Sequence, residues 1–239
     1  MNPLEHRHRN AHPDDDGLFT GPSLLRLQAA VDELCWLFNR GYARHSAIKL
    51  VGDHHQLVKR QRLAIGRAAC SDDSKNARLA KCVELNDIKG QPLLIDGFNL
   101  IITLEAAIAG AVLLRCRDHC IRDLASVHGT YHQVGETETA ITLIGRTLAE
   151  FQPRSVHWLF DKPISNSGRL ANLVRRVGEK NDWNWQAELL VNPDRALAAS
   201  AKVAVTSDSA ILDAVDHWLN LSAYLLERHF QHAWLIDLS

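Results

Sequence analysis

The sequence predicts an α/β chain: a mostly parallel sheet flanked by helices, preceded by a small all-helical module. Three observations carry that expectation. From Leu93 onward, short apolar runs alternate with stretches of helical periodicity, the pattern of parallel strands joined by crossover helices. The run Leu93-Leu94-Ile95 holds no polar residue and stops at Asp96, as expected of a strand buried on both faces. Between Leu24 and Ala69 the apolar residues recur at helical spacing.

In chain order, residues 1–20 carry His6, His8, His12 and the acids Asp14, Asp15 and Asp16, punctuated by Pro13 and Gly17. They are expected to form a flexible polar tail. Residues 21–90 are expected to form the helical module and its connector. Ser23 suits an N-cap and Gly41 a stop for the first long helix. A short helix at 46–51, a turn at Gly52 and Asp53, and a longer helix at 55–69 give a helix-turn-helix outline. Lys59, Arg60, Arg62 and Arg67 make the second of these helices basic. Such a face either contacts nucleic-acid phosphates or is a solvated face packed against the rest of the chain. Residues 91–239 are expected to form the α/β domain. Its strands are placed at 93–96, 156–160, 185–191, 202–206 and 233–236, and its helices at 103–109, 136–151, 167–181, 194–200 and 209–229, the last broken near Asn220. The segment 111–131 suits a hairpin turning at 117–119.

Composition excludes several classes. With 46% apolar and 23% charged residues the chain has material for a core. Its formal net charge of −1 gives no overall steering toward nucleic acid, which leaves room for a local basic face. No run approaches the ~18 apolar residues of a membrane span, and the polar N-terminus lacks the apolar core of a signal peptide. No membrane association and a cytoplasmic location are therefore expected. Five cysteines at irregular spacing, Cys116 and Cys120 among them, suit reduced thiols rather than a zinc site.

Chemistry concentrates where strands end. Asp96, Asp161 and Asp208 each follow a candidate strand, and the carboxyl ends of parallel strands share one edge, where such sheets bind ligands. Clustered carboxylates repel unless a cation neutralises them, and Mg²⁺ or Mn²⁺ with oxygen ligands would do so. Two such ions can position water and stabilise the leaving oxygen of a phosphodiester. Each acid alone also suits a helix cap, Asp208 most of all. The residues Gly97, Phe98 and Asn99 after Asp96 are harder to explain by capping. Ser165, Asn166, Ser167 and Arg169 suit an anion at a helix start, or simply a cap beside an exposed arginine. Arg122, Asp123, His128 and Tyr131 form a second polar group, in which His128 is a candidate general acid or base or a structural histidine.

Taken together, LLIDGFNLIITLE, RDLASVHGTY, FDKPISNSGRL and VTSDSAILD resemble the domain-of-unknown-function family 434 over about residues 12–238. More distantly, IDGFN followed by FD and then TSD resembles the order of acidic motifs in NYN and PIN-like domains over about residues 92–238. Those domains are Rossmann-like, metal-dependent ribonucleases acting on structured RNA. The resemblance implies metal-coordinating roles for Asp96, Asp161 and Asp208, with Asn99 in support. It also implies a further acid between the last two motifs, a place for which Asp194 in NPDRA offers itself.

The expected function is Mg²⁺- or Mn²⁺-dependent phosphodiester hydrolysis with RNA as partner. Asp96, Asp161 and Asp208 would hold metal, Asn99 would orient a water or phosphate, and Arg169 would bind substrate phosphate, with Ser165, Asn166, Ser167, Arg122 and His128 nearby. The alternative is a non-catalytic nucleic-acid-binding or adaptor protein working through Lys59, Arg60, Arg62 and Arg67. A nucleotide-binding enzyme finds less support, since neither GxGxxG nor a Walker lysine occurs.

Overall fold

The structure, a computed structural model, describes residues 8–125 and 129–239. Five helices come first: α1 (Asp15–Phe19), α2 (Gly21–Phe38), α3 (Arg44–His54), α4 (Lys59–Ala68) and α5 (Asp72–Ala80). Then follow β1 (Cys82–Val83), β2 (Pro92–Asp96), α6 (Gly97–Ile108), β3 (Leu113–Arg115), β4 (Ile121–Asp123), α7 (Thr137–Phe151), β5 (Ser155–Asp161) and α8 (Ser167–Lys180). The chain closes with β6 (Trp185–Leu190), α9 (Pro193–Ala198), β7 (Val203–Val205), α10 (Ser209–Ala214), β8 (Trp218–Leu219), α11 (Leu221–His229) and β9 (Leu235–Asp237).

Six strands pair in parallel, in the order β1-β8-β7-β2-β5-β6. The unbroken apolar runs follow from burial on both faces. Leu93 and Ile95 of β2, Trp158 and Phe160 of β5, and Val203 and Val205 of β7 enter the core beneath α6, α7 and α8. Leu94, Leu159 and Ala204 point the other way, toward Leu197, Ile211 and Leu212 of α9 and α10. The α/β class and the preceding helical region are as the sequence predicts.

A second sheet, β4-β3-β9, contains the expected hairpin. Its turn places His119 at φ 63°. The strand expected at 233–236 joins this small sheet rather than the large one, since β9 pairs with β3. The helical module buries Leu27, Val31, Leu34, Val51 and Ile65 against Leu114 and Ile236 of that sheet. Leu113 and Ile121 face Ala106, Ala107 and Leu226 on its far side.

Three expectations need correction. The helical stretch expected at 209–229 does break near Asn220, but what breaks it is a strand, β8, because Trp218 and Leu219 pair with both β1 and β7 and the Trp218 indole donates to the Arg78 carbonyl at 2.7 Å. Gly52 and Asp53 are helical, and the chain turns instead after His54, with Gln56 at φ 53°. Gly52 is a contact glycine, since a Cβ there would fall 2.7 Å from the Arg62 guanidinium. Finally, residues 8–19 make specific contacts. Asp15, fully buried, takes two hydrogen bonds from Arg60, one of them at 2.8 Å, and the Arg9 Nε donates to buried Glu105 at 2.7 Å. All five cysteines are free and four are buried.

Candidate active site at the carboxyl edge

Asp96 ends β2 and also caps α6. Its Oδ1 accepts from the Asn99 backbone N–H at 3.3 Å, and its Oδ2 accepts from the Thr206 hydroxyl at 3.0 Å. The glycine that follows is required by packing, because a Cβ on Gly97 would fall 2.2 Å from the Phe160 ring. The Asn99 side chain ties two strand ends together: its Oδ1 accepts from the Ser207 N–H at 2.8 Å and the Ser207 hydroxyl at 3.0 Å. Its Nδ2 hydrogens have no acceptor among the described residues, and the side chain lines a cavity. Thr206 in turn accepts from the Asp208 N–H at 3.1 Å, and Asp208 caps α10 through Ala210 at 2.8 Å and Ile211 at 3.3 Å. The expected cap at Asp208 is therefore present, without using its second carboxylate oxygen.

Asp161 ends β5, and Asp194 lies in the first turn of α9, whose N-cap Asn192 accepts from Arg195 at 2.9 Å. The four acids interact. Loss of hydration pushes the Asp96 carboxyl up to about 7, with Asp194 and Asp208 adding to the rise. Desolvation followed by Asp194 raises Asp161, and desolvation followed by Asp208 raises Asp194. Like charges near one another favour the neutral form. None of the four has an ion-pair partner among the described residues. Nor do any three of them bring oxygens within 4.8 Å of one another. Among the described residues only Glu33 of α2, His54 at the end of α3 and His55 just after it form such a His/Cys/Asp/Glu group. The sequence, where His54 and His55 offer no ligand spacing, hides that second grouping, because Glu33 comes from a different helix.

The loop after Asp161 is engaged in holding the fold. Ser165 exchanges backbone hydrogen bonds with Gly129 and Tyr131, Asn166 sits at φ 70° and donates to the Tyr131 carbonyl at 2.8 Å, and Ser167 is buried. Arg169 is exposed on the first turn of α8. His128 lies outside the described residues. The basic set on α4 is mostly spent internally: Arg60 on Asp15, Arg62 on Asp53 at 2.7 Å, and Arg67 on the carbonyls of Asp123 and Ala125. Lys59 remains exposed.

Arg122 is nearly fully buried in the wall of a cavity of about 540 Å³ beside Asn99 and Asp208. Arg44, Arg67 and Arg78 of the helical module line the same cavity. Arg44 and Arg78 had no signal in the sequence, since Arg78 meets its partners Asp118 and Asp213 across 40 and 135 residues.

Fold and site thus define an α/β protein with an acidic carboxyl edge and a helical module built against it. The family described as Domain of unknown function (DUF5616) matches residues 85–224, and the chain belongs to it. The family described as Protein of unknown function (DUF434) matches residues 26–81. The likeness to family 434 is therefore confined to the helical module, and the strand-end motifs read from the sequence lie in the other family's span. An uncharacterised protein of Methanocaldococcus jannaschii, MJ0935, is 32% identical over 205 residues, covering 85% of this chain and 98% of its own length. No solved structure matches the chain. No helix among the described residues is long and apolar enough to cross a membrane.

Proposed function

We propose that the protein is a metal-dependent phosphodiester hydrolase with RNA as its substrate, built on a PIN/NYN-like α/β domain. The observation that carries this reading is the meeting of four acids from four separate elements at one sheet edge, each perturbing or perturbed by another. Asp96, Asp161, Asp194 and Asp208 would hold Mg²⁺ or Mn²⁺. The spread of their oxygens suits ions that keep several waters better than one tightly chelated ion. Such ions would supply an activated water and stabilise the leaving oxygen.

The chain's own residues do the rest. Thr206 and the Asn99 N–H fix the Asp96 carboxylate, and Ser207 fixes the Asn99 amide so that its free Nδ2 hydrogens can donate to a phosphate oxygen or a water. Asp96 must lose its proton to bind a cation, so metal affinity falls as pH drops below about 7. Arg169, exposed at the start of α8, would contact substrate away from the acids. A purely nucleic-acid-binding role through α4 has little surface to work with, because Arg60, Arg62 and Arg67 are already engaged.

The test is cleavage of single-stranded and hairpin RNA with added Mn²⁺. Asp96→Asn and Asp194→Asn are each expected to reduce cleavage at least about 100-fold, the scale of losing groups that bind transition-state charge. Unchanged cleavage by Asp96→Asn would refute the assignment.

A further inference from the structure

The cavity beside the acids is built from both parts of the chain. Arg44, Arg67 and Arg78 reach it from α3, α4 and α5, and Arg122 reaches it from β4. Two of these are buried and held rigidly. Arg122 forks onto fully buried Asp118 at 2.9 and 2.6 Å, and Arg78 donates to the same carboxylate at 2.7 Å. Arg78 also grips Asp213 at 2.6 and 2.9 Å. Arg67 is placed by backbone carbonyls, with the Asp123 carboxylate at 3.5 Å.

Arg44 differs from the other three. It has no carboxylate partner among the described residues. It donates to the Gly66 carbonyl and lies 5.6 Å from the Phe38 ring centroid. Desolvation, then Arg122 and Arg78, lower its proton affinity, with Cys70 and Asp208 acting the other way. Four guanidiniums share this side with four carboxylates, of which Asp118, Asp123 and Asp213 are ion-paired to them, while Asp208, which also lines the cavity, is paired with none. A guanidinium without a carboxylate partner, turned toward a cavity, can receive an anion, because planar N–H donors match phosphate oxygens. A volume of about 540 Å³ holds more than a bare ion, being in the range of small-ligand pockets.

We infer that this cavity binds a phosphate monoester, carried by a nucleotide or by the phosphorylated end of a nucleic acid. Arg44 supplies the guanidinium that no protein carboxylate pairs with, and Arg67, Arg78 and Arg122 form the fixed wall. The site also gives the helical module a reason to accompany the α/β domain, since three of the four guanidiniums come from it. Choosing a nucleic-acid end over a free nucleotide rests on the hydrolase reading, but the anion site itself does not.

The experiment measures binding to the full chain in EDTA, so that no hydrolysis intervenes. The probes are inorganic phosphate, adenosine monophosphate, and a fluorescent ten-nucleotide RNA with either terminal phosphates or terminal hydroxyls. Wild type is expected to prefer the phosphorylated RNA by about tenfold or more. Arg44→Ala should abolish that preference, and Arg44→Lys should restore part of it. Arg44 is exposed at the rim, so these variants should fold, which a melting curve checks. Phosphate and nucleotide binding lost in Arg44→Ala, without an RNA-end preference, would support the site and assign it to free nucleotides. Equal affinity for both RNA ends together with no phosphate or nucleotide binding would overturn the inference. So would binding that Arg44→Ala leaves intact in a folded protein. An end preference in a chain that cuts no RNA with Mn²⁺ would overturn the hydrolase reading alone.

Discussion

At the carboxyl edge four carboxylates stand near one another with no ion-pair partner among the described residues, while the adjoining cavity wall pairs almost all of its guanidiniums within the chain. Asp96 shows the cost of the first arrangement, its carboxyl raised to about 7 chiefly by loss of hydration and further by Asp194 and Asp208. Arg78 and Arg122, both raised in proton affinity against the cost of burial, the first by Asp213 and Asp118 and the second by Cys116, Cys120 and Asp118, show the stability of the second. The contrast teaches where to look for ligands. Charges satisfied inside the chain hold the fold, and charges left unsatisfied await something from outside.

Breaking the paired side should have the largest effect. Asp118→Ala leaves two buried guanidiniums short of a partner, and urea unfolding should show a loss of about 3–5 kcal/mol, the usual cost of stranding a buried charge. Arg60→Ala should come next, at roughly 2–4 kcal/mol, because it strips fully buried Asp15 of both guanidinium bonds; a wild-type unfolding midpoint would show that the N-terminal contact is dispensable.

The unpaired side should respond with the opposite sign. Asp96 has a folded pKa above its unfolded value, so ionisation opposes folding. That penalty is complete above about pH 7 and fades as pH falls toward 4. Asp96→Asn should therefore stabilise the metal-free protein by roughly 1–2 kcal/mol at pH 8, allowing for solvent screening at a partly exposed site. Melting curves at pH 8 and pH 4 should show that gain shrinking to nothing at the lower pH, and a gain independent of pH would break the comparison. Lys59→Ala should change the melting temperature least, within about 0.5 kcal/mol, since Lys59 is exposed on a helix whose arginines are engaged elsewhere.

The acid edge was largely legible in the sequence, and the arginine wall was not. Leu93 to Asp96 announces itself because a strand buried on both faces needs an unbroken apolar run, and a parallel sheet brings its carboxyl ends together. Asp194 was only half visible: it belongs to α9, and its place beside Asp96 and Asp161 depends on how β6 and β7 flank the central strands. Strand β8, two residues long, leaves no periodicity of its own. Arg78 and Asp118 are separated by 40 residues and joined by a salt bridge of 2.7 Å, and no local pattern encodes such a pair. Gly52 misled because a glycine that permits close contact with Arg62 reads the same as one that makes a turn.

Ser207 lies between the two regions and touches both. Its N–H and hydroxyl hold Asn99, and its carbonyl accepts from the Arg122 Nε at 2.7 Å. One residue thus anchors an amide at the acid edge on one side and a guanidinium of the cavity wall on the other. An occupant that shifts Arg122 also pulls on the peptide that sets Asn99. By reciprocity, whatever factor a filled cavity imposes on cation affinity, a bound cation imposes on the cavity. A cation at the acid edge and an anion in the cavity, bound as proposed, would thus be linked through a single serine.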